Sequence, residues 1–274
     1  MAARTSKPIV YGFLGAGQMG EAIFAGLLRK RVVHPRDIRI VDASAQRAEA
    51  MRLKHKLRVE TSAQVLVDSC DVIVLAVKPQ DLDALLQSLG SANLRGKLFL
   101  SIAAGKTLSW LEARLPKARV VRVMPNLAMR VGEGMSAFCL GSCATARDHR
   151  IATALLTSSG QARELPESLF DAVTALSGSG PAFLASILQA FVDGAVALGM
   201  PQEDALALAK QTLVGTAKVL AEGDESLAHF ILAVTSAKGT TAAGLEVLQK
   251  SSLGSTIQRT LRAAARRSQA LGKG

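Results

Sequence analysis

Aromatic side chains are scarce: of 274 residues one is Trp, one Tyr and eight Phe. A single-strand nucleic-acid surface, which stacks bases on rings, has little to stand on, although Lys and Arg outnumber Asp and Glu by 33 to 22. Cysteine is scarcer among reactive residues. Cys70, Cys139 and Cys143 form an odd set in a long chain, which implies no disulfide framework and fits a reducing cytoplasm. Cys139 and Cys143 with His149 match no zinc spacing, so no metal site is expected. A continuous membrane-spanning run is also missing: 172–192 is uncharged, but Ser177-Gly178-Ser179-Gly180-Pro181 breaks it. The N-terminus shows no leader pattern, and no repeat or low-complexity tract is found. These absences imply a soluble protein with neither membrane nor nucleic acid as partner. The basic cluster Arg259, Arg262, Arg266 and Arg267 reads as a solvated helix face, and the net charge of +11 as a field that steers small anions.

What is present begins with Gly15-Ala16-Gly17-Gln18-Met19-Gly20, a GxGxxG turn behind the apolar run from Pro8 to Leu14 and ahead of a predicted helix over 21–30. The first glycine makes the turn, the second lets backbone approach a pyrophosphate, and the third lets helix pack on strand. The helix N-terminus adds free amides and a positive dipole end. Further strand-like runs follow at 38–41, 57–59, 71–77, 97–102 and 119–124, alternating with helical segments. Such runs suit strands covered on both faces of a doubly wound parallel sheet, the Rossmann-like α/β class, whose ligands sit beyond the carboxyl ends of the strands. From Glu167 strand signals vanish, and helices are expected over 182–198, 201–221, 239–249 and 255–270. The chain thus divides into a dinucleotide-binding domain at 1–166 and an all-helical domain at 167–274. The helices of the second are apolar on nearly all sides, so a second copy is expected to intertwine with it as an obligate homodimer.

Six segments carry an identification: Phe13–Gly20, Ala76-Val77-Lys78-Pro79, Ser101–Gly105, Arg122-Val123-Met124-Pro125-Asn126, Leu176–Phe183 and Gly239-Thr240-Thr241. In this order and spacing the chain resembles the pyrroline-5-carboxylate reductase family over essentially its whole length. The resemblance implies reduction of 1-pyrroline-5-carboxylate to L-proline by hydride transfer from NAD(P)H, with dimers assembled into rings in related enzymes. It places Leu14, Gly15, Ala16, Gly17, Gln18 and Met19 on the cofactor pyrophosphate, and Ala76, Val77, Lys78, Pro79, Ala103, Ala104 and Gly105 along the cofactor towards the nicotinamide. Asn126 is expected to orient a carboxamide or to form a turn. The substrate carboxylate is placed on amides of Gly239 and Thr240 with Ser236 nearby, the Thr241 hydroxyl on the ring nitrogen as the catalytic group, and Glu167 near the substrate.

Two departures stand out. The family reads Ser-Pro-Gly-Gly where this chain has Ser236-Ala237-Lys238-Gly239, so Lys238 is either strained, if it sits at positive φ, or an added cation beside the carboxylate. Asp42 closes the second strand, where an acid binds a ribose 2′-OH and disfavours a 2′-phosphate; this favours NADH, with Ser44 and Arg47 able to meet the phosphate of NADPH. Two rival readings are a β-hydroxyacid dehydrogenase, which needs a lysine absent between Pro181 and Gly199, and a cofactor-binding paralogue without turnover.

Overall fold

A computed structural model describes residues 8–272; the extreme N-terminus, with its leader reading, and the outer limits of both expected domains lie outside the described residues. The chain divides into two compact units, one running up to Ser179 and resuming at Ala264, the other Gly180–Ala263. Each is taken by itself.

The first unit is built on an eight-stranded sheet. Its strands are β1 (Tyr11–Leu14), β2 (Ile38–Val41), β3 (Arg58–Val59), β4 (Val72–Leu75), β5 (Leu98–Ser101), β6 (Arg119–Met124), β7 (Gly134–Leu140) and β8 (Gly160–Glu164), in spatial order 3-2-1-4-5-6-7-8. The six strands up to β6 are parallel, which matches the doubly wound expectation, and the order reverses between β1 and β4, where such sheets open a crevice. The remaining two strands were not foreseen. β7 runs antiparallel to β6, and β8 is parallel to β7. Exposed polar residues on β8, such as Gln161 and Glu164, hide it from a search for apolar runs, as befits a sheet edge.

Helices α1 (Gln18–Arg29), α2 (Ala45–His55), α3 (Ala63–Ser69), α4 (Leu82–Ser88), α5 (Leu108–Arg114) and α6 (Ala146–Thr157) connect these strands. Side chains alternate across the sheet, so Phe13, Val74, Leu100 and Val123 pack with Ile23, Phe24 and Leu27 on one face. Leu14, Ile73, Leu75 and Phe99 pack with Leu66, Leu82 and Leu111 on the other. Each such side chain contributes about 1.5–3 kcal/mol by leaving water. Helix starts are set locally: Ser44, Ser62 and Thr107 accept the amides of Arg47, Val65 and Trp110, and Thr145 forms a capping box with Asp148. Trp110 lies between Lys106 and Arg114, whose cationic groups stand 4.6 and 3.9 Å from its ring centre.

A short helix, α7 (Phe170–Val173), passes through a wide turn over Thr174–Gly178, closed by the Ser179 N–H on the Thr174 carbonyl at 2.8 Å. The helical stretch Glu167–Ala197 is therefore continuous, and is long and apolar enough to cross a membrane by length and composition. This corrects the expectation that the serine–glycine segment interrupts it. Pro181 donates no N–H, and the wide turn ahead of it lets the helix continue without that bond.

The second unit holds α8 (Gly180–Ala197), α9 (Gln202–Glu222), α10 (Leu227–Ala233), α11 (Thr240–Lys250) and the first part of α12 (Leu253–Gly272). α10 had no apolar period long enough to announce it; Ser226 caps it by accepting the His229 amide. α8 packs against α9, where Val192 and Ala205 are buried. Phe191 and Leu198 on α8 and its trailing turn remain 65% and 90% exposed.

Candidate active site

The glycine turn has the geometry a diphosphate needs. Gly15 sits at φ +100°, and a Cβ there would stand 2.6 Å from the Ala76 carbonyl oxygen. A Cβ on Gly20 would stand 2.5 Å from the Gly15 oxygen, so α1 packs on the turn without side chains between. A Cβ on Gly17 would meet nothing within 4 Å; the face beside it is open to a ligand. The first intrahelical bond is Glu21 N–H to Gly17 O at 2.9 Å, which leaves the amides of Gln18, Met19 and Gly20 ahead of it. These residues fit a dinucleotide. Glu21, in the same turn, is lifted by burial but held below the ordinary glutamate value by Lys54 and His55, whose nitrogens lie 2.8 and 3.0 Å from it.

Not every residue assigned to the cofactor presents a free group. Leu14 is wholly buried in the core, and its carbonyl accepts the Ala76 amide. Ala16 donates its N–H to Asp42 Oδ2 at 2.8 Å, so that amide is not free for phosphate. Asp42 Oδ1 accepts the Ser44 amide at 2.8 Å and faces Arg47 Nη1 at 3.3 Å. The Asp42 side chain is only 5% exposed, while that of Arg47 is 52% exposed. Asp42 is thus a clamp that ties the glycine turn to the start of α2, with both oxygens engaged. The exposed cation next to it is Arg47.

Beyond the other strand ends, Ala76, Val77 and Pro79 are half-buried and Lys78 is exposed. Ala103 and Gly105 are buried, and Gly105 sits at φ +78°. Asn126 donates from Nδ2 to Ser177 Oγ and accepts the Met135 amide on Oδ1, both at 3.2 Å. Its amide therefore ties the wide turn to β7, which goes beyond either role expected for it.

Glu167 is also engaged. Its Oε1 accepts the Leu108 amide and Arg122 Nη1, both at 2.7 Å. Arg122 is nearly buried, with its guanidinium 4.6 Å from the Phe170 ring centre. Arg122 heads one of the six identifying segments but was given no role of its own; the signal was a buried cation between Val121 and Val123 in β6. The three cysteines are free, and burial pushes the Cys70 and Cys139 thiols up to about 11 and about 12.

In the second unit, Ser236, Gly239, Thr240 and Thr241 gather at the start of α11. Gly239 is the cap residue, and no side chain caps the helix. Its own N–H donates to the Ser236 carbonyl at 3.1 Å, so the free amides begin at Thr240 rather than at Gly239. Thr240 and Thr241 are exposed. Lys238 sits at φ +58°, the left-handed conformation that was the condition for strain; a non-glycine residue there costs about 1–2 kcal/mol.

Known proteins match both parts of the chain. Residues 167–271 match the family model described as pyrroline-5-carboxylate reductase dimerisation, and residues 10–105 one described as NADP oxidoreductase, coenzyme F420-dependent. The pyrroline-5-carboxylate reductase of Methanosarcina acetivorans is 41% identical over 96% of this chain and 97% of its own. That of Synechocystis is 40% identical over 97% and 99%. The solved structure of a pyrroline-5-carboxylate reductase from Coxiella burnetii superposes with a TM-score of 0.91 at 28% identity, covering 98% of this chain and 100% of that one. The Plasmodium falciparum pyrroline carboxylate reductase with NADP bound gives 0.85 at 29% identity, covering 96% and 98%.

Proposed function

This chain belongs to the pyrroline-5-carboxylate reductase family, and from that premise we propose how its residues carry out the reaction. It is an oxidoreductase that reduces 1-pyrroline-5-carboxylate to L-proline with NAD(P)H, the last step of proline biosynthesis. The observation that carries the reading is the glycine turn, blocked at Gly15 and Gly20 and open at Gly17.

The amides of Gln18 and Met19 hold the pyrophosphate at the positive end of α1. Arg47, exposed and only 3.3 Å from Asp42, turns to a 2′-phosphate, which favours NADPH while leaving NADH usable. Val77 and the Ala103–Gly105 loop, small and close to the strand ends, flank the cofactor towards its reactive ring. When bound, the nicotinamide would supply the hydride that the imine carbon of the substrate ring takes up. The protonated imine is itself the electrophile, so the protein's share is to bind, align and exclude water. The substrate carboxylate sits on the Thr240 amide with the Ser236 hydroxyl, and Lys238 adds a positive charge beside it. The Thr241 hydroxyl holds the ring N–H.

The substrate is a small molecule and the protein is oligomeric, as is typical of the family. We assign it a homodimer made through the 167–271 segment, able to stack into rings, and a cytoplasmic location consistent with three free cysteines. An absorbance assay pairing NADPH or NADH with 1-pyrroline-5-carboxylate and with its 2-carboxylate isomer tests the reading. Oxidation that depends on the 5-carboxylate is expected. Thr241→Ala is expected to lower kcat by about 100-fold, in the range for a lost proton-handling group, with cofactor affinity unchanged. No substrate-dependent oxidation with either cofactor overturns the assignment.

A further inference from the structure

The end of α12 is the one part of the late sequence that groups with the sheet unit, and it does so through a specific contact. On Gly105 a Cβ would stand 3.1 Å from both the carbonyl carbon and the Cβ of Leu271. On Gly272 a Cβ would stand 2.8 Å from the Gly105 carbonyl oxygen. Two glycines therefore let the last turn of the helix lie directly on the loop after β5. One turn earlier, Ser268 is 4% exposed on a helix whose neighbouring Arg266 and Arg267 face solvent. Its hydroxyl donates to Asp171 Oδ1 at 2.6 Å. Asp171 follows Phe170, which stacks under Arg122, and Arg122 grips Glu167, which caps the Leu108 amide. The loop from Ala103 to Leu108 is thus held at Gly105 by the end of α12 and at Leu108 by Glu167.

We propose that the terminal turns of α12 clamp the Ala103–Gly105 loop in its cofactor-binding shape, with Ser268 and Gly272 as positioning residues for NAD(P)H. The proposal rests on the reading above that this loop flanks the cofactor. A loop free to move loses affinity, because ordering it on binding costs entropy that the clamp removes in advance. The chemistry at saturating cofactor is little changed.

The test compares the full protein with three variants: the chain ended after Arg267, Ser268→Ala, and Arg267→Ala as a solvent-facing control. NADPH affinity is measured by calorimetry without substrate, beside KM, kcat and amide exchange over 103–108. Ending the chain is expected to weaken NADPH binding about tenfold, with kcat within about twofold and faster exchange in the loop. Ser268→Ala, which removes one buried hydrogen bond, is expected to weaken it about threefold and the control not at all. If the shortened chain does not fold, Ser268→Ala and Gly272→Val decide the matter by the same readouts. Unchanged affinity and exchange in the folded variants, or a fall in kcat alone, overturns the clamp. A full-length protein that binds NADPH and shows the clamp effect yet leaves 1-pyrroline-5-carboxylate untouched would sink the reductase reading and spare the clamp.

Discussion

In the sheet unit Phe13, Phe24 and Phe99 are fully buried, while in the helical unit Phe191 is 65% and Leu198 90% exposed. Among the described residues of 180–263, Val192 and Ala205 are the large and small apolar side chains taken out of water. The sheet unit closes its own core because its central strands β1, β4 and β5 are covered on both faces. A set of helices with apolar residues all round, such as Leu184, Leu208, Val219 and Leu232, leaves that surface open in a single copy. The contrast indicates where stability is local and where it depends on assembly: the first is a property of one chain, the second of protein concentration.

Phe191→Asp breaks the comparison hardest. A charge in a face that must be covered costs several kcal/mol, so sedimentation is expected to show loss of the oligomer, and far-UV circular dichroism a loss of helix with the sheet retained. An oligomer of unchanged size would mean that α8 is not the covered face. Gly15→Ala strikes the other unit: with φ +100° and a backbone oxygen at 2.6 Å, NADPH affinity measured by calorimetry is expected to fall more than about tenfold while the oligomer survives. Arg47→Ala should act more narrowly, raising KM for NADPH about tenfold and leaving NADH within about twofold, in keeping with loss of one charge-assisted contact. Equal effects on both cofactors would remove the 2′-phosphate role. The smallest effect is expected at Lys238→Gly, which relieves the left-handed backbone and should stabilise the helical unit by about 1 kcal/mol in denaturant melts. The same change should raise KM for the substrate if the lysine attracts its carboxylate.

The glycine turn and the six parallel strands were legible because the signals are local: β-branched runs, stopped by Pro79 or Pro125, and glycines at fixed offsets. β7 was not, since Gly134-Met135-Ser136 interrupts its apolar run and Ser136 is buried all the same. Continuity of the helix through Ser177–Pro181 was misread because glycine, serine and proline ordinarily punctuate, and only the closing bond from Ser179 to Thr174 shows that they widen the helix instead. At the candidate site, residue type could be read but not spent bonding capacity. Ala16, Asp42, Asn126 and Glu167 all have polar groups committed to partners distant in sequence, and no spacing rule reveals that.

Trp110, held between Lys106 and Arg114, is the sole indole in the molecule, and Tyr11 its sole phenol. Both belong to the sheet unit, so intrinsic fluorescence is blind to residues 180–263. An optical melt will therefore time the collapse of one half of the polypeptide only, and any lag between it and the far-ultraviolet signal measures directly how far the two halves unfold as separate events.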